Sequence, residues 1–154
     1  MPHDQMKSCI DACYACATAC NHCAAACLRE SDVKLLARCI QLDIDCAEMC
    51  RLAAGYMGRG SELAAAVCES CAEVCDACGD ECDKHGKMQH CRECAEACRR
   101  CAEECRRMAS MMPAAGQALG TARASGGASK PGAEAVSLTV RPGRAGQRHR
   151  TGSF

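Results

Sequence analysis

Residues 91–105 read Cys91-Arg-Glu-Cys94-Ala-Glu-Ala-Cys98-Arg-Arg-Cys101-Ala-Glu-Glu-Cys105, so cysteine returns after 3, 4, 3 and 4 residues. That alternation is the spacing of one face of an α-helix. The same rhythm runs through Cys68, Cys71, Cys75, Cys78 and Cys82, and, entered on a step of four, through Cys9, Cys13, Cys16, Cys20, Cys23 and Cys27. Cys39, Cys46 and Cys50 make a sparser stripe. All 19 cysteines of the 154-residue chain belong to these stripes. Positions that normally carry the aliphatic core of a helix carry thiols instead, which points to soft-metal chemistry inside a bundle.

The breaks between stripes delimit four helical segments. The first runs from about His3 to Cys27 and leaves through Leu28-Arg-Glu-Ser-Asp32. Ser31 or Asp32 is a candidate cap for the second, from about Val33 to Met57. Gly58-Arg-Gly60 breaks the chain, and Ser61 is a candidate cap for a third segment ending near Lys84. His85-Gly86-Lys87 turns into the fourth, from about Met88 to Met112, which Pro113 stops. Short connections between long helices predict antiparallel neighbours. The expected fold is therefore all-α, an up-down-up-down four-helix bundle over residues 1–112. Residues 113–154, rich in Gly, Ala, Ser and Arg and without helical period, read as a disordered basic tail. Within it Val136-Ser-Leu-Thr-Val140 has strand character but no evident pairing partner.

Acidic and basic residues balance at 19 each, but not locally. Residues 1–112 hold 13 Lys/Arg against 18 Asp/Glu, whereas residues 113–154 hold six against one. An acidic bundle argues against a nucleic-acid partner, and with only Tyr14, Tyr56 and Phe154 as aromatics there is no platform for base stacking. The opening residues lack the apolar core of a signal peptide, and no stretch is long enough to span a bilayer. The expectation is a cytoplasmic protein without a membrane partner, where thiols bind metal rather than form structural disulfides. Helical neighbours three or four apart have Cβ atoms about 5–6 Å apart, against about 3.5–4.5 Å for a relaxed disulfide.

An antiparallel bundle stacks the stripes into layers. Cys27, Cys39, Cys82 and Cys91 fall at one end, followed by Cys23, Cys78 and Cys94, then Cys20, Cys46, Cys75 and Cys98. Cys16, Cys50, Cys71 and Cys101 come next, and then Cys13, Cys68 and Cys105. Continued outward, the stripes gather His3, Met6, Met57, Met108 and Met112 at one mouth, and His85 with His90 at the other. Flexible methionines would plug the first mouth, which makes the histidine mouth the expected entrance. His85 has a second reading, as a C-terminal helix residue where a cation is favourable.

Asp43 counts onto the second stripe, in the layer of Cys23, Cys78 and Cys94. Either its carboxylate faces the lumen, or the helix rotates locally and turns Leu42 inward to avoid burying an isolated charge. His22 reads as a partly exposed bundle residue and His149 as solvated. Met49, Met88 and Met111, off the main stripe, read as packing residues.

Cysteine is also a small hydrophobe, so plain packing has to be weighed. The third and fourth segments hold ten cysteines but only Leu63, Val67 and Val74 as branched aliphatics. Ala and Cys alone make a thin core, because burying a Leu, Val or Ile contributes about 1.5–3 kcal/mol. Metal–thiolate bonds would fill and cross-link it. Thiolates and thioethers select Cu(I), Zn(II) or iron–sulfur clusters, and the usual iron–sulfur spacings do not occur. Zinc takes four tetrahedral ligands in isolated sites. The eight C-x3-C pairs, such as Cys9/Cys13, Cys46/Cys50 and Cys101/Cys105, suit two-coordinate Cu(I) better, and thioethers at the mouth favour it further. A metallothionein-like zinc-sequestering protein is the nearer alternative. A thiol redox protein is the more distant one, since no strand precedes any C-x-x-C. No enzymatic activity is expected.

With Cys13-Tyr-Ala-Cys16, Cys20-Asn-His-Cys23 and Cys75-Asp-Ala-Cys78 inside a ladder on every segment, residues 1–112 resemble the cytosolic copper storage proteins. That resemblance implies a pre-formed bundle storing many Cu(I) ions, mainly on thiolates, with His, Met or Asp completing sites at the ends. It also implies a homo-oligomer, commonly a tetramer of bundles. The candidate ligands are then the 19 cysteines with Asp43, His85, His90, Met57 and Met108. Asp43 and Ala53 interrupt the second stripe, and the basic tail is not part of the family pattern. Leu35, Leu36, Ile40, Leu42, Ile44 and Leu52 give the second helix apolar surface of its own, some of it available to a partner subunit.

Overall fold

A computed structural model of the chain describes residues 3–112, with His3 described by its backbone alone. The expected basic tail, residues 113–154 with its 136–140 segment, lies outside the described residues. The helices are α1 (His3–Cys27), α2 (Ala37–Gly58), α3 (Ala64–Lys84) and α4 (Gln89–Met111). α1 packs against α2 and α4, and α3 against the same two, which is the square of a four-helix bundle. Every cysteine stripe turns to the axis of that square, and the core is cysteine, alanine and three methionines, with Leu36 at one end.

The helix ends follow from local chemistry. α1 closes by tightening from Leu28 N–H to Ala24 O into i→i+3 bonds, Arg29 N–H to Ala26 O at 3.0 Å and Glu30 N–H to Cys27 O at 3.2 Å. α2 ends in a Schellman motif, in which Gly60 N–H donates to Met57 O and Ser61 N–H to Tyr56 O. Gly60 takes the left-handed conformation this requires, φ 64°, at which a side chain would be strained. Between α3 and α4, Arg92 Nη1 donates to Gly86 O at 2.7 Å and to Lys87 O at 3.2 Å, clamping the turn.

Two starts differ from expectation. Neither Ser31 nor Asp32 caps the second helix, because Val33–Leu36 forms a 3₁₀ turn that buries Leu36, and α2 begins after it. Ser61 accepts the Leu63 N–H on its hydroxyl and the Ala64 N–H on its carbonyl, at 3.2 and 3.1 Å. The chain therefore completes a turn before α3 starts at Ala64, three residues later than the serine suggests.

α3 and α4 approach closely at Gly79, where an added Cβ would stand 3.3 Å from Cys98 Cβ. Arg99–Asp83 and Arg106–Asp76 pair across the outside of these helices, and Ser8 Oγ donates to Glu104 Oε2 at 2.9 Å between α1 and α4. Exposed pairs of this kind contribute little stability; what they set is register. Leu52 and Leu63 are about half exposed on the α2–α3 side, beside Met49 and Val67.

Candidate metal centre

All 19 thiols are free and fully buried. Across α2 and α3, Cys39–Cys82 and Cys46–Cys75 meet as counted, both with Sγ atoms 3.6 Å apart, whereas Cys50 lies 3.8 Å from its counted partner Cys71 and 3.6 Å from Cys75 of the next layer. α1 departs from flat layering. It is staggered against α4, so Cys13 lies 3.6 Å from Cys101 and 3.7 Å from Cys105, and Cys20 lies 3.6 Å from Cys94 and 3.8 Å from Cys98. Cys13 and Cys20 thus each bridge two steps of α4. The cause is interdigitation: side chains of one helix seat between those of its neighbour rather than opposite them.

The stagger turns layers into a continuous ladder. Cys16, Cys46, Cys50 and Cys75 bring their ligand atoms within 4.8 Å of one another, as do Cys16, Cys20, Cys46 and Cys98, and Cys20, Cys78, Cys94 and Cys98. Cys13, Cys71, Cys101 and Cys105 form another such group. Several thiols belong to two groups at once. An arrangement of this kind can hold several soft cations with thiolates shared between them.

Asp43 faces the lumen and is fully buried, while Leu42 is only partly buried. Its Oδ1 accepts hydrogen bonds from Cys78 at 3.2 Å, Cys94 at 3.2 Å and Cys82 at 3.5 Å. Burial pushes its carboxyl up to about 8. Bonding to Cys16 pushes Cys20 and Cys98 above the ordinary thiol range. Cys39 is pulled down to about 3 by bonds from Cys23 and Cys82, and burial pushes Cys27 up to about 11.

The two mouths are unlike. At one, Met6, Met57 and Met108 are buried in the core cluster, with Met112 packed against it. At the other, His90 turns Nδ1 inward, 3.4 Å from Cys23 Sγ, 3.5 Å from Cys91 Sγ and 3.8 Å from Cys27 Sγ. Cys23, Cys27, Cys91 and His90 form a three-thiol, one-imidazole group. His85 behaves differently: its Nε2 lies 3.4 Å from Glu81 Oε1. Glu81 is buried and also accepts from Lys84 at 2.8 Å and Arg38 at 3.2 Å, which holds its carboxyl below the usual range. His85 nonetheless borders a cavity of about 200 Å3 at this mouth, with Glu30, Leu36 and Met88. His22 is exposed, as read from its place beside the stripe, while Met111 is exposed rather than packed.

The description "copper storage protein" belongs to the family that matches residues 2–110. The Cu(I)-bound copper storage protein BsCsp3 is 48% identical at a TM-score of 0.65, with 68% of this chain and 98% of that chain covered. Apo copper storage protein 3 from Bacillus subtilis is 46% identical at 0.62, with the same coverages of 68% and 98%. A cytosolic copper storage protein from Streptomyces lividans, studied during copper loading with five coppers, is 44% identical at 0.68, with 70% and 94% covered. The chain belongs to the copper storage protein family. No curated protein matches it.

In this copper storage family member the convergence of the thiols is legible from cysteine spacing. Two carboxylates were not. Glu30 reads as part of the exit from α1, and Glu81 lies off the cysteine stripe, between Asp80 and Cys82. Glu30 meets His90 across 60 positions of sequence, and no periodicity carries such a signal.

Proposed function

We propose that the bundle stores many Cu(I) ions in its lumen, bound by the cysteine thiolates, and that it does so in the cytoplasm without catalysing a reaction. The observation that carries this reading is the sharing of thiols between neighbouring four-thiol groups, Cys16 and Cys46 in two and Cys20 and Cys98 in two. Zn(II) favours isolated tetrahedral sets, whereas bridging thiolates suit Cu(I). Asp43, Met57, Met108, His85 and His90 complete the ligand set at and near the ends. Cu(I) enters past His90, with His85 at the rim, and the methionine mouth stays closed. Leu52 and Leu63 make the α2–α3 side the contact between copies in a homo-oligomer, a tetramer by analogy with the family.

Anaerobic titration of the reduced chain with Cu(I), a chelator competing, tests the reading. Two unshared thiolates per ion give about nine ions, and bridging raises the number toward one per cysteine, both estimates resting on ligand type. Saturation at one or two ions would sink it. Equal competition by Zn(II) would move the assignment to a zinc-sequestering protein, and turnover in a thiol-exchange assay to a redox one.

A further inference from the structure

The proposed copper reading uses His90 as a ligand and leaves Glu30 without a role. Glu30 follows directly from the way α1 ends. The i→i+3 bonds after Cys27 coil the chain back over the mouth, and they bring Glu30 Oε1 to 3.0 Å from His90 Nε2. His90 stands at the second position of α4, so its ring lies between that carboxylate outside and the three thiols inside. A carboxylate oxygen only accepts, so the proton between the two groups sits on Nε2. Neutral imidazole has one protonated nitrogen, and the other, Nδ1, is left with a lone pair aimed at Cys23, Cys27 and Cys91. Metal-binding histidines are commonly oriented by such an outer carboxylate.

On that reading of the mouth, we infer that Glu30 is a positioning residue: it accepts the Nε2–H of His90 and holds the ring in the orientation and tautomer that offer Nδ1 to an arriving Cu(I). The competing account is that Glu30 attracts cations simply by its charge. The two differ at Glu30→Gln, which keeps an acceptor oxygen and removes the charge.

The test has two readouts on the reduced full-length chain. The first is the tautomer of His90 in the apo protein, read by long-range 1H–15N correlation at one fixed pH. Wild type and Glu30→Gln should carry the proton on Nε2, and Glu30→Ala should show exchange between both tautomers. A wild-type ring protonated on Nδ1, or a Glu30→Ala ring identical to wild type, overturns the inference.

The second is the rate of Cu(I) transfer from a chelator. His90→Ala should slow it by about 10-fold, the low end for losing an oriented histidine's support. Glu30→Ala should slow it comparably, Glu30→Gln should keep the wild-type rate, and the double Ala variant should be no slower than His90→Ala. A Glu30→Gln as slow as Glu30→Ala, or a further loss in the double variant, assigns Glu30 to charge attraction and overturns positioning. A slow His90→Ala beside an unimpaired Glu30→Ala overturns the inference alone. A His90→Ala at the wild-type rate removes the reading of the mouth, and the inference with it.

Discussion

Asp43 is the residue on which the chemistry of the lumen turns. A lone carboxylate in a dry core is expensive, and this one persists because Cys78, Cys82 and Cys94 donate to one of its oxygens. The carboxyl is held up at about 8, against about 3.9 for an unfolded Asp. Between those values the folded chain keeps a proton that the unfolded chain has lost. The Asp43 contribution to apo stability is therefore full below about pH 4 and is lost as pH rises to about 8. Denaturation of the apo protein across that window should show a decline that Asp43→Asn flattens. Asp43→Ala should leave far-UV circular dichroism unchanged while altering copper loading or release at the histidine mouth. Unchanged stoichiometry and release rates would give Asp43 a structural role only.

At the scale of the elements, the α3–α4 pair is held close by the absence of a side chain at Gly79. A valine there would drive into Cys98 and the Ala95 carbonyl, so Gly79→Val should cost about 1–3 kcal/mol of apo stability, the range for overpacked cores, measured by chemical unfolding. On the proposed reading the helix ends set the direction of copper traffic. Met57 and Met108 are fully buried and seal one mouth, whereas His90 reaches thiols at the other. Replacing His85 and His90 by Ala should slow Cu(I) uptake and removal while total capacity barely changes. Replacing Met6, Met57, Met108 and Met112 by Ala should not slow transfer. The opposite pattern would reverse the entrance.

The whole molecule joins a helical shell of good local propensity to a core with few large side chains. Reduced apo protein should give a helical far-UV spectrum, and random coil would refute a pre-formed bundle. Because folding gathers the thiols into shared groups, copper loading should raise Tm strongly by mass action. The same samples in sedimentation velocity should be larger than one chain. Leu52→Glu with Leu63→Glu should reduce that mass if the half-exposed α2–α3 side is the contact, since buried like charges do not tolerate an interface.

Spacing alone determined the four helices, their antiparallel order and the inward turn of all 19 cysteines, because a 3-4 stripe has one solution as a secondary structure and a thiol stripe one place to bury itself. The position of Asp43 on its stripe was legible for the same reason, but which of Asp43 and Leu42 turns inward was not. That depended on thiols from α3 and α4 being present to donate to the carboxylate. The stagger of α1, the division between His90 among thiols and His85 at Glu81, and the approach of Glu30 to His90 belong to the tertiary structure. Each is set by how side chains of different helices interlock, and a one-dimensional period holds no information about its neighbour's phase.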